Sequence, residues 1–276
     1  MKRNRKDKTL DRRELLAGMA GLSAMSMVPP ACAQAAQAAA TEAAASGKIL
    51  VILELSGGND GLNTVVPYAD DAYYRQRPNI GIPKNELRII DDHFGFNPGM
   101  AGFESLYKDG KMAIVHGCGY ENPSYSHFTS MAYWHTAAPN SGDEYGWVGK
   151  LADSIAPSAP SNYLVNIGSK QSLAVKSEKH VPVVFDDPNR FMREAFAAEK
   201  EALDVVPDIG EMENPSRRFL LDISRSANDA SALVRDAWSR YDSPVDYGVN
   251  DLDLQKVVAL LDAGMPTSLY YVTYRN

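Results

Sequence analysis

Apolar and polar residues follow two rhythms along this chain, and the rhythms divide it into elements. Lys48–Leu55 reads Lys-Ile-Leu-Val-Ile-Leu-Glu-Leu, a nearly continuous apolar run rich in branched side chains. That pattern predicts a strand buried on both faces, as in a parallel sheet. It ends at Ser56-Gly57-Gly58-Asn59-Asp60-Gly61, a composition made for a sharp loop. Met112–His116, Tyr163–Ile167, Val181–Phe185 and Ser268–Tyr274 predict four further strands. Helical spacing takes over in Pro98–Asp109, with Met100, Phe103, Leu106 and Tyr107 on one face and Gly110 as the stop. Ser126–Ala138 carries Phe128, Met131, Ala132 and His135 at helical spacing. Ser216–Tyr241 is the most regular helical stretch, with an apolar residue every three or four positions from Phe219 to Trp238. Asp251–Ala263 predicts a last helix, with Asn250 as N-cap and Gly264 as stop. Strands alternating with helices predict one α/β domain, a mostly parallel sheet flanked by helices.

The residues before this pattern read as an address. Residues 1–33 hold seven basic and three acidic side chains, then an uncharged stretch from Leu15 to Val28. At 1.5 Å per residue that stretch spans about 21 Å, short of a bilayer core of about 30 Å, so it predicts a cleaved export signal and no stable transmembrane segment. Arg12-Arg13 directly before it predicts the twin-arginine export machinery as a partner and a periplasmic or extracellular destination. Ala31-Cys32-Ala33 fits cleavage after Ala33; lipid attachment at Cys32 ranks second, since Val28-Pro29-Pro30-Ala31 lacks the usual Leu. Residues 34–47 are an Ala-rich linker, and residues 48–276 form the domain. If Cys32 leaves with the signal, Cys118 is the sole remaining cysteine and no internal disulfide can form.

Charge narrows the partners. The whole chain carries 28 basic and 35 acidic residues, a net −7, and the basic excess sits in the signal. An acidic body without a basic block excludes a nucleic-acid-binding role, because phosphate neutralisation needs clustered Lys and Arg.

Two places can carry chemistry. Asp60 follows the first strand in a Gly-flanked loop, where a carboxylate suits a divalent metal and Asn59 adds a neutral oxygen donor. The same residues also make ordinary turn chemistry. Ser126 opens a predicted helix, where free N–H groups favour an anion and a hydroxyl is placed for attack. It equally suits a plain N-cap. His127 beside it is a candidate proton carrier. Since both sites follow predicted strands, parallel pairing places them at one sheet edge. His135 shares a face with Met131 and reads as packing. No G-x-S-x-G, Walker A, C-x-x-C or H-E-x-x-H pattern is present.

Leu55–Tyr68 (Leu-Ser-Gly-Gly-Asn-Asp-Gly-Leu-Asn-Thr-Val-Val-Pro-Tyr), Arg77-Pro78, Phe94-Gly95-Phe96-Asn97-Pro98, Gly110–Val115, Ser126-His127-Phe128 and Trp134-His135-Thr136 together carry a resemblance. With the twin-arginine-like signal, they resemble an exported bacterial family of unknown function with an alkaline-phosphatase-like (sulfatase-like) fold. The resemblance covers about Lys48 to Asn276. It implies a metal-dependent hydrolase of small anionic phosphoesters or sulfoesters, with Asp60 on the metal and Ser126 as nucleophile. Family members carry a Gly-Phe-Asp-Thr-His-like segment and further Asp and His ligands that this sequence lacks. The chain therefore resembles an N-terminal portion, incomplete at its C-terminus and inactive alone. The alternative is a non-catalytic exported binding or surface protein on the same fold.

Overall fold

The computed structural model describes residues 48–57, 59–157, 162–191, 230–247 and 252–275. The predicted export signal and Ala-rich linker, Asn250, Asp251 and the part of the predicted helix before residue 230 lie outside the described residues. Seven strands are described: β1 (Leu50–Ser56), β2 (Val65–Val66), β3 (Arg88–Ile89), β4 (Gly95–Phe96), β5 (Leu164–Ile167), β6 (Val183–Phe185) and β7 (Leu269–Arg275). The helices are α1 (Gly61–Thr64), α2 (Asp71–Gln76), α3 (Ala101–Lys108), α4 (His127–Thr136), α5 (Trp147–Ile155), α6 (residues 230–240) and α7 (Leu254–Asp262). The chain divides into two compact units, one of residues up to Glu54 with Asn122–Arg275, the other Leu55–Glu121.

The first unit is α/β. Its sheet runs β1-β7-β5-β6 and is all parallel. Val165 of β5 sits level with Tyr270 on one side and Val183 on the other. Side chains of successive strand residues point to opposite faces, and two cores result. Leu53, Val165, Ile167, Val183, Phe185, Tyr270 and Val272 meet Ala230, Val234 and Ala237 of α6 and Val257 and Leu260 of α7. Ile52, Leu164, Leu269 and Tyr271 face the other way and meet Val148 and Ala152 of α5 with Ala174 and Val175 of a short 3₁₀ turn. Burial on both faces is why β5 and β7 read as continuous apolar runs. The expectation of the same for Lys48–Leu55 is corrected: β1 is an edge strand with no fully buried residue, and Leu50 and Val51 are 42% and 39% exposed, because an edge strand has a neighbour on one side only. Each fully buried Val, Ile or Leu there contributes about 1.5–3 kcal/mol.

α5 was not expected, although Trp147, Val148, Leu151, Ala152 and Ile155 lie at helical spacing. Two glycines let it approach the 3₁₀ turn closely. A Cβ at Gly146 would lie 2.0 Å from the Leu173 carbonyl oxygen, and one at Gly149 would lie 2.2 Å from that of Lys176. Lys150 Nζ ties α5 to α4, donating to the Thr136 carbonyl at 2.9 Å and to Asp143 at 2.8 Å. α7 begins after Asp253, and Gly264 ends it at φ +68°, as expected of a left-handed stop.

The second unit is built on a small antiparallel sheet, β2-β4-β3, with Val65 opposite Phe96 and Arg88 opposite Phe96 on its other side. Val66, Tyr73 and Leu87 form its core, with Tyr68, Tyr74 and Ile82 packed around them. α3 is the helix expected from Pro98–Asp109, and Gly110 follows it at φ +69°. The predicted strand Met112–His116 is corrected: residues 111–120 make no ladder, and Val115 is 61% exposed. An apolar β-branched run reports a wish for burial, but a strand exists only where a second backbone supplies hydrogen-bond partners. The premise that Ser126 follows a strand therefore does not hold.

Candidate functional site

Asp60 and Asn59 lie in the second unit. Asp60 caps α1: its carboxylate accepts the Asn63 N–H at 3.2 Å, and its other oxygen accepts Arg77 Nη1 at 2.6 Å. The Arg77 guanidinium holds the Asp60 carboxyl below its ordinary value. Asn59 Oδ1 accepts the Thr64 hydroxyl at 3.1 Å. Arg77 also reaches Asn63 Oδ1 at 3.3 Å, which accepts the Tyr73 hydroxyl at 2.7 Å. Asn97 closes the network by donating to the Asn63 carbonyl at 2.9 Å. Three separated sequence blocks, Asn59–Thr64, Arg77-Pro78 and Phe94–Pro98, are thus one hydrogen-bonded scaffold.

Whether these residues suit a divalent cation follows from their partners. Asp60 is 44% exposed at its side chain and keeps lone pairs free, but its charge is already balanced by a guanidinium 2.6 Å away. Among the described residues, no group of three or more His, Cys, Asp or Glu is arranged to hold a metal. The described residues offer oxygen donors at Asp60 and Asn59 and do not by themselves make a metal site.

Ser126 and His127 lie in the first unit. Ser126 is the N-cap of α4, with its hydroxyl accepting the Thr129 N–H at 3.4 Å. Its own N–H donates to Ser124 Oγ at 3.2 Å, which shapes the entry to the helix. Ser126 and His127 are both exposed, and the flanking rings of Tyr125 and Phe128 are 97% and 91% exposed. A hydroxyl and the free N–H groups of a ten-residue helix therefore meet at one solvent-facing end.

A third cluster was missed. Glu54 of β1 accepts a hydrogen bond from the Tyr271 hydroxyl of β7 and lies 2.9 Å from His135 Nε2 of α4. Next to it, the fully buried Asn166 of β5 donates to the Tyr271 carbonyl and accepts the Ser172 N–H at 2.7 Å. Burial, and then the Glu54 carboxylate, push the Tyr271 phenol up. The sequence signal was the lone carboxylate within the apolar run Leu50–Leu55; an ionised group in such a strand needs partners. Those partners stand 81 and 217 positions away, so no local pattern names them. His135, read from sequence as packing, belongs to this polar cluster.

Two further features complete the first unit's polar inventory. Asp153 of α5 accepts Ser177 Oγ at 2.5 Å and the N–H groups of Glu178 and Lys179, fastening that loop, with His180 Nε2 4.0 Å away. A cleft of about 220 Å³ opens at the carboxyl end of β6, lined by Phe185, Asp186, Asp187, Arg190 and Phe191. No helix among the described residues is long and apolar enough to cross a membrane. Cys118 is a free, exposed thiol. Compared with known proteins, the chain matches no family model, no curated protein sequence and no solved structure.

Proposed function

We propose that this chain is an exported, alkaline-phosphatase-like hydrolase acting on small anionic phosphoesters or sulfoesters. One observation carries the reading: Ser126 is the exposed N-cap of a ten-residue helix in an α/β unit with a parallel sheet. The helix N-terminus attracts an anionic ester, and the hydroxyl sits beside it for attack. His127, in the first turn, is within the same exposed segment for proton transfer. Asp60 and Asn59 are the oxygen donors this chain would bring to a divalent metal, which supplies Lewis-acid polarisation of an ester oxygen when bound.

The alternative is a non-catalytic exported binding or surface protein. It is favoured by the Arg77–Asp60 pair, in which the carboxylate already has a structural partner.

Two measurements separate these readings. Equilibrium dialysis of a longer homologue carrying the Asp and His motifs against Zn²⁺, Mn²⁺ and Ca²⁺ should show metal retention that is lost when Ala replaces Asp at the position matching Asp60; unchanged metal content takes Asp60 out of the site. Hydrolysis of 4-nitrophenyl phosphate and 4-nitrophenyl sulfate by a longer homologue carrying the Asp and His motifs should be lost when Ser is replaced by Ala at the position matching Ser126. Turnover that survives this change removes Ser126 as the nucleophile, and a homologue that hydrolyses neither ester leaves the binding reading.

A further inference from the structure

Glu54 is 15% exposed at its side chain and occupies a strand position whose neighbour on the same face, Ile52, packs into an apolar core. A carboxylate there costs free energy unless donors satisfy it, and two do: the Tyr271 hydroxyl and the His135 ring. An ionised carboxylate only accepts hydrogen bonds, so it selects the neutral imidazole tautomer with its proton on Nε2. The lone pair is left on Nδ1. Nδ1 has no hydrogen-bond partner among the described residues, and it is not one of their buried orphaned atoms, which are Asn162 Oδ1, His180 Nε2 and the Tyr270 hydroxyl. His135 is 18% exposed at its side chain, so a ring held firmly on one side meets solvent on the other.

The support continues behind Glu54. Tyr271 is 3% exposed, and its carbonyl takes the Asn166 side-chain amide, itself fixed by the Ser172 N–H. Groups from β1, β7 and β5 thus brace one imidazole on α4. His180 offers the contrast within the same unit. Its Nε2 is buried, unpartnered and 4.0 Å from Asp153, closed off from any ligand.

We propose that His135 is a proton-accepting residue, oriented by Glu54 and Tyr271, that deprotonates a protic nucleophile, water or an alcohol, arriving at its Nδ1. In that step the O–H bond breaks, its electron pair stays on oxygen, and the proton passes to Nδ1. The imidazolium charge is balanced by the Glu54 carboxylate. Glu54 and Tyr271 are positioning residues. The inference uses neither Ser126 nor Asp60 and stands apart from the hydrolase reading.

The test reads the imidazole directly in the intact chain. Long-range ¹H–¹⁵N spectra of histidine-labelled protein should show neutral His135 with its proton on Nε2. Acylation by diethyl pyrocarbonate, mapped by peptide mass spectrometry, should modify His135, with exposed His127 on the same helix as internal reference. In Glu54→Gln, checked for folding by circular dichroism, the His135/His127 rate ratio should fall roughly tenfold, the lower end of the cost of losing an orienting partner. Glu54→Asp keeps the charge but withdraws it from Nε2, and should give the same fall if the Gln variant does not fold. A proton found on Nδ1, an inert His135 beside a reactive His127, or an unchanged ratio in a folded variant overturns the proposal.

Discussion

The hydroxyl of Tyr271 on β7 donates to Glu54 on β1, joining two adjacent strands through residues 217 positions apart in the chain. The bond ties the start of the described chain to its last strand, so the parallel sheet is fastened by side chains as well as by its ladder. Its worth rests on asymmetry: a satisfied buried carboxylate adds little, while one stripped of a donor is expensive.

Tyr271→Phe removes the donor and keeps the ring. Urea unfolding should show a loss of about 1.5–3 kcal/mol, the range for hydrogen bonds to charged groups. The Tyr271 phenol is raised in the folded state, so its contribution is complete below the ordinary tyrosine value of about 10 and is lost as pH rises through the folded value. The variant should lack that alkaline decline. A wild-type-like midpoint would show that Glu54 is satisfied without Tyr271.

Gly149→Ala tests the close approach of α5. The added methyl group would lie 2.2 Å from a backbone oxygen that no rotamer change can move. A loss of about 3 kcal/mol, the upper end for overpacking, is expected by calorimetry or denaturant titration. Gly102→Ala on α3 meets nothing within 4 Å and should be stabilising by about 0.5–1 kcal/mol. Similar effects from both substitutions would refute the packing argument.

Asp60→Asn probes the scaffold of the second unit under acid. Arg77 holds the folded-state value of Asp60 below its unfolded value, so the stabilisation is present above the ordinary carboxylate value of about 4. It is lost as pH falls through the folded value. Acid titration followed by circular dichroism should find the wild type declining more steeply in that window than Asp60→Asn. Superimposable acid limbs would mean the ion pair contributes nothing to stability.

Export is tested by Arg12→Lys combined with Arg13→Lys in a reporter fusion. Loss of export is the expected result, because the twin-arginine machinery reads the arginine pair itself. Undiminished export in a strain lacking only that machinery would redirect the signal to the general secretory route.

The alternation within the chain determined much of the first unit by itself. Lys48–Leu55, Tyr163–Ile167, Val181–Phe185 and Ser268–Tyr274 all gave strands of one sheet, and the central β5 and β7 are buried on both faces as an apolar run requires, while β1 at the edge is not. Gly110 and Gly264 marked helix ends correctly, since a left-handed residue is a local requirement written at one position. Ser126 likewise became an N-cap. Tertiary structure decided everything that depends on a distant partner. Met112–His116 has the apolar pattern of a strand but no ladder, because pattern carries no information about which backbone will supply the bonds. Asp60 is bound to Arg77, and Glu54 to Tyr271 and His135, because a polar group in a folded chain takes whichever donors the packing brings near it. The residue types that could do chemistry were legible in the sequence; which of them meet was fixed only when the strands found their neighbours.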